Sequence, residues 1–151
     1  TYYWDGNNNT AGFGTASGTW AAPTLGTLTS GWTTQNAGTG VVNGNSITTL
    51  TGDSINFGNG ATGLGAGTIT VSGTANSGSM TFASGSGAIV LSGGTITFVA
   101  NPTVTVNNAT NTIDSAIGGA ATSFTKAGTG TLVLGGANTY AGQTVVNAGT
   151  L

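Results

Sequence analysis

The chain has 151 residues, of which only 3% are charged, and its formal net charge is −2. An average soluble domain carries about a quarter charged residues; here the ionisable side chains besides three tyrosines are Asp5, Asp53, Asp114 and Lys126. Without His or Cys there is no imidazole base, no thiol nucleophile and no zinc or copper site. With one Lys and no Arg, the cations that nucleic-acid binding needs are missing too.

No cofactor is expected, and no long uninterrupted apolar run suggests a membrane span. Low charge and 29 glycines also occur in disordered chains. The 37% apolar content, gathered in repeated clusters, argues for an ordered domain instead.

Residues 1–35 hold six of the chain's eleven aromatics: Tyr2, Tyr3, Trp4, Phe13, Trp20 and Trp32. Large rings suit the open end of a layered structure, so this segment is expected to be an N-terminal cap. Two other readings stay open. The rings of Tyr2, Tyr3, Trp4, Trp20 and Trp32 are also candidates for a glycan platform, or for a joint with a neighbouring copy. Within the segment, Asp5, Asn7 and Asn9 have the alternate spacing of a calcium loop's first ligands. Thr10 replaces the glycine of such a loop and Ala16 its terminal glutamate, so a polar turn is the better reading.

From Val41 onward, short strands are predicted at Val41–Val42, Ile47–Leu50, Ser54–Phe57, Thr68–Val71, Ser79–Phe82 and Ala88–Leu91. They continue at Thr95–Val99, Thr103–Val106, Thr112–Ile117, Ser123–Lys126, Thr131–Leu134 and Thr144–Val146. Alternation is clear within them: Ile69 and Val71 oppose Thr68 and Thr70, Ile96 and Phe98 oppose Thr95 and Thr97, and Met80 and Phe82 oppose Ser79 and Thr81. The corners Ser92-Gly93-Gly94 and Asn107-Asn108 suit single left-handed residues. Hairpin dipeptides are few, Asn43-Gly44 and Asn59-Gly60 being the Asn-Gly pairs. Pro23 and Pro102 should lie at strand edges or corners. Each strand is too short to bury a core alone, which is the logic of a stack of repeats.

The pattern is densest from Lys126 to the end of the chain. Lys126, Gly128, Gly130, Leu132, Leu134, Gly136, Asn138, Thr139, Tyr140, Gly142, Thr144, Gly149 and Leu151 have the spacing K-x-G-x-G-x-L-x-L-x-G-x-N-T-Y-x-G-x-T-x-x-x-x-G-x-L. This resembles the passenger-associated β-strand repeat of autotransporters. The resemblance implies an all-β, right-handed parallel β-helix, exported from a Gram-negative cell to its surface or beyond, with a scaffold role and no catalytic residues.

Residues 36–151 would then form the β-solenoid, with about five to seven rungs. The three Asp lie far apart, so a glycosidase pair has little support. Asp114 should face outward, and Lys126 reads as a solvated corner charge rather than a partner of Asp114. Thr-x-Thr pairs beginning at Thr27, Thr49, Thr68, Thr95, Thr103, Thr110 and Thr129 raise ice binding, but their spacing is irregular.

The expected function is a non-catalytic structural protein of the cell exterior. Such a chain could stack end to end on copies of itself into a filament. Alternatively it is a stalk or adhesin segment of a longer passenger, contacting glycans or a host surface. Filament formation is suggested by a chain that stops at Leu151 inside a strand motif, since an open strand edge templates pairing.

Overall fold

A computed structural model describes residues 1–26, 29–40, 46–98, 101–120 and 123–151. Among them there is no helix, and the strands are short. They are β1 (Tyr2–Asp5), β2 (Thr19–Trp20), β3 (Thr24–Leu25), β4 (Gly31–Thr33), β5 (Ser46–Ile47) and β6 (Ser54–Phe57). There follow β7 (Gly67–Val71), β8 (Thr74–Ser77), β9 (Ser79–Phe82), β10 (Ile89–Ser92), β11 (Thr95–Phe98) and β12 (Thr103–Val106). The last are β13 (Thr110–Ile113), β14 (Ala116–Gly119), β15 (Ser123–Ala127), β16 (Thr131–Leu134) and β17 (Gln143–Val146).

These strands stack into three sheets, ordered β17-β15-β12-β9-β6-β1-β4, β16-β13-β10-β7-β2 and β14-β11-β8. Pairing in the stack is parallel except between β1 and β4, and the separate pair β3–β5 is antiparallel. The molecule is therefore a parallel β-solenoid. One turn runs through β7, β8 and β9, the next through β10 to β12, the third through β13 to β15, and the last through β16 and β17. Ile96 is level with Ala75 below and Ile117 above, and Val90 with Thr68 below and Thr112 above. Each turn therefore uses nearly the same length of chain, at the short end of the range for solenoid repeats.

The stack makes about four turns, fewer than the five to seven expected from dividing the chain by rung length. The reason lies before Ser54. There the chain goes into the antiparallel pairs and into single strands, β1 and β2, that lie under the first turns without completing one.

The alternation predicted from sequence sets the core. Ile69, Leu91 and Ile113 are level and buried on one wall, Ile96 and Ile117 on the second, and Ile55, Met80 and Val104 on the third. Phe57 stacks on Phe82 with centroids 4.9 Å apart and planes 16° apart. Outward threonines do not form one regular face: Thr68 is level with Val90, and Thr112 with Val133.

Several boundaries differ from expectation. The run Thr112–Ile117 is two strands, β13 and β14, with a corner at Asp114-Ser115 between them. Strand β8 has no counterpart among the predicted strands, and Ile47–Leu50 shortens to β5. Val41–Val42, Asn43-Gly44, Thr27 and Val99 lie outside the described residues.

Corner Gly93-Gly94 has φ of 85° and 45° as expected. Asn107-Asn108 does not take the left-handed form. Asn8, at φ 57°, is the non-glycine with positive φ among the described residues. Asn108 works through its side chain instead, donating to the Gly87 carbonyl at 2.8 Å and pairing with Asn111. Pro102 immediately precedes β12, and Pro23 follows the cis Ala22–Pro23 bond between β2 and β3, the corner positions anticipated.

Candidate functional site

The C-terminal repeat is the most specific sequence feature, and nearly every residue in it holds one rung to the next. Lys126 lies on β15 at an inward position, level with Val104 below and Val146 above. Its side chain is fully buried. The ammonium donates to the carbonyls of Ala127 at 3.0 Å, Gly128 at 2.7 Å and Ala148 at 3.0 Å. The solvated corner charge expected from sequence is thus corrected to an internal clamp. The core position carries the aliphatic stem on Val104, and the head meets carbonyls that converge at the corner. Asp114 is exposed, as expected, and takes no part in this clamp.

The glycines serve close approach. A Cβ on Gly130 would sit 2.0 Å from the Asn108 carbonyl oxygen, and one on Gly136 2.3 Å from that of Ser115. Leu132 is a buried core residue, and Leu134 packs against the core.

In the last turn no strand continues the β8–β11–β14 sheet among the described residues. Asn138 and Thr139 fill in: Asn138 Oδ1 accepts from the Ile117 N–H at 2.8 Å, and the Thr139 N–H donates to the Ile117 carbonyl at 2.8 Å. One amide side chain and one peptide thus imitate a strand pair. Asn111, on β13 one turn below, also uses its side chain to join rungs, its Oδ1 accepting from the Ile89 N–H at 3.0 Å. Sequence reasoning missed this role of Asn138 and Asn111.

Tyr140 stacks on Phe124 with centroids 5.4 Å apart and planes 20° apart, and its hydroxyl lies 2.8 Å from Thr144 Oγ1. Gly142 lies in the loop leading to β17, Thr144 on that strand, Gly149 turns at φ 72°, and Leu151 is exposed.

Replacing Asn138 with alanine leaves the Ile117 N–H without its partner, a loss of about 1–3 kcal/mol. Hydrogen exchange at Ile117 should accelerate while amides of the first turn are unchanged. Unchanged exchange at Ile117 would reject the strand-mimic role.

The N-terminal aromatics occupy the other end of the core. Trp4, Trp20 and Trp32 are 0–1% exposed, whereas Tyr2 and Tyr3 are half-buried. Trp32 lies edge-on to Trp4 and Trp20 at 4.8 and 5.2 Å. Trp4 Nε1 donates to the Ser17 carbonyl, and Trp20 Nε1 to Thr49 Oγ1. Of the five rings considered for a glycan or subunit contact, only Tyr2 and Tyr3 have surface to offer. The tryptophans fill an end of the stack whose segment, residues 1–35, has no Val or Ile and two Leu.

Asp5 forms a polar turn, its Oδ1 accepting from the Asn7 N–H at 2.9 Å, and no cluster of three or more His, Cys, Asp or Glu occurs among the described residues. Its Oδ2 is buried without a partner. Burial raises its carboxyl above the ordinary 3.8, partly offset by the Asn7 and Asn8 backbone N–H groups. The folded state therefore holds the Asp5 proton more tightly than the unfolded chain does. That contribution is fully present below 3.8 and is lost as pH rises through the raised value. Burial lowers Lys126 from 10.5, so stability is regained as pH rises through its folded value towards 10.5. Melting temperature should therefore decline from about pH 3 towards neutrality, by about 2–4 °C for each kcal/mol involved. Asp5→Asn should flatten that acid slope, and an unaltered slope in the variant would refute the assignment.

Comparison with known proteins finds two similarities. An 86-residue segment, 57% of the chain, is 40% identical to the Adhesin BmaC autotransporter of Brucella suis biovar 1 (strain 1330), and it covers 2% of that protein's length. No solved structure matches. The family whose model matches is the Passenger-associated-transport-repeat, and it does so over residues 124–151, the segment that clamps the last turn of the solenoid to the one beneath.

Proposed function

We propose that the chain is a non-catalytic structural segment of an exported autotransporter passenger, displayed on the surface of a Gram-negative cell. The observation that carries this reading is the use of the repeat's side chains. Lys126, Asn138, Tyr140 and Leu132 all turn inwards or onto the neighbouring rung, so the motif specifies a stack rather than a reaction centre. The relative is an adhesin by name, which supports a place at the cell exterior. In this reading residues 1–35 are the aromatic cap or joint and residues 36–151 the repeats.

The test is antibody labelling of intact cells that express the full gene product. Signal on intact cells, removed by external protease, is expected; signal only after lysis would overturn the proposal.

A second reading, end-to-end assembly of copies into a filament, draws on the last turn. Strands β16 and β17 lie at the ends of their sheets, and Val133, Val146 and Leu151 there are 44–47% exposed. An open edge with apolar side chains accepts another rung, from the same polypeptide or from a second copy. Electron microscopy of the purified chain separates the two: long filaments support homopolymer assembly, and short isolated rods reject it.

A further inference from the structure

Side chains of successive rungs form a column on the outer face of one wall. Tyr3, Asn56, Thr81 and Thr105 are level with one another on β1, β6, β9 and β12. Beside this column a cleft of about 170 Å³ opens between the sheet face and the corner at Gly58-Asn59-Gly60, lined also by Ala83, Ser84 and Asn107. It is smaller than the roughly 300–1,000 Å³ of drug-sized pockets, and it suits one small ring.

Its chemistry is specific. Tyr3 is held in place, its ring stacked on Phe13 with centroids 5.8 Å apart and planes 19° apart. Some polar groups of the wall are already engaged: Asn59 Oδ1 accepts from the Ala61 and Thr62 N–H groups, and Ser84 Oγ donates to the Gly60 carbonyl. Asn56 Nδ2 donates to the Tyr2 carbonyl. Among the described residues, the hydroxyls of Tyr3 and Thr81 and the amide of Asn107 make no hydrogen bond within the protein. A fixed aromatic ring, two free hydroxyls and a free amide can donate and accept together. Neither an acid nor a base lines the cleft, so a charged ligand would find no counter-charge there.

We propose that this cleft binds one residue of a neutral saccharide, its apolar ring face against Tyr3 and its hydroxyls on Thr81 and Asn107. The site goes beyond the scaffold role and does not depend on it. It also differs from a tryptophan platform, since the tryptophans are buried.

The test is NMR titration of the ¹⁵N-labelled chain with N,N′-diacetylchitobiose, maltotetraose, cellotetraose and lactose, with 3′-sialyllactose as the charged control. At least one neutral oligosaccharide should shift the side-chain amide signals of Asn56, Asn59 and Asn107 at millimolar concentration. Thr81→Val, which keeps shape and removes the hydroxyl, and Asn107→Ala should each weaken that binding at least fivefold with the far-UV spectrum unchanged. Tyr3→Phe should weaken it less than Tyr3→Ala. No shift with any of the four neutral sugars, equal binding by Thr81→Val and Asn107→Ala, or preference for the sialylated control would each overturn the proposal. Sugar binding in a chain that fails the cell-surface test would reject the passenger reading alone.

Discussion

Replacing Trp32 with alanine is expected to lower stability by about 3–5 kcal/mol, the range for removing a large buried aromatic ring. Trp32 is 1% exposed and joins the N-terminal strands to the solenoid column. Its ring contacts Tyr2 at 6.5 Å, Trp4 at 4.8 Å, Trp20 at 5.2 Å and Phe57 at 6.3 Å. The backbone reinforces this, since Trp32 is level with Trp4 in the antiparallel β1–β4 pair. Alanine would open a void among rings of which Trp4, Trp20 and Phe57 are held by other partners, so collapse around it would be incomplete. Trp32→Phe should cost much less. The indole N–H of Trp32 is buried without an acceptor, so the smaller ring forfeits area but no hydrogen bond. Trp20→Phe, by contrast, also loses the bond to Thr49. Urea unfolding of the three variants checks the order; a loss below about 1 kcal/mol for Trp32→Ala, well under that range, would show that the aromatic end is not part of the cooperative unit.

The second large effect is at Lys126. Removing the side chain in Lys126→Ala deletes a stem from the core and strips three carbonyls of a charged donor. Hydrogen bonds to charged groups contribute about 1.5–3 kcal/mol each when made singly, but burial of the ammonium opposes them. A net loss of about 2–4 kcal/mol is expected, concentrated in the last turn. Lys126→Met keeps the stem and also avoids burying a charge, so it should recover about half of that loss. Because Ala148 belongs to the next rung, both variants should speed exchange in β17 before β12. Equal destabilisation throughout the stack would mean that the clamp acts on the whole column rather than on one junction. Wild-type stability in Lys126→Ala would show that the clamp does not hold the last turn.

Which of these features can be read from sequence follows from physical range. Alternation has a period of two residues and needs no tertiary knowledge, so Ile69 and Val71 against Thr68 and Thr70 identify the buried face correctly. Strand β8, Thr74–Ser77, has Ala75 as its one apolar side chain, and its strand character comes from lying beneath β11. The corner at Asp114-Ser115 is hidden because neither residue is a glycine. Lys126 reads as solvated because lysine nearly always is; only the convergence of carbonyls from two rungs makes an inward position tolerable. Trp4, Trp20 and Trp32 stand out as rings, but sequence does not say which side of a strand at a stack's end faces water. The saccharide cleft depends on Tyr3, Thr81 and Asn107, which are adjacent only after successive turns have been laid on one another.

The constant chain interval between equivalent strands has a further consequence for how such a gene can change. Gly67 is level with Ile89, and Thr74 with Thr95, so two different walls repeat at almost the same interval. Unequal recombination that duplicates or removes one such unit in frame keeps every remaining ladder in register, because the new neighbours present the same wall pattern. Length in this architecture is therefore a heritable variable that can drift almost independently of sequence, while the side chains that join one turn to the next cannot.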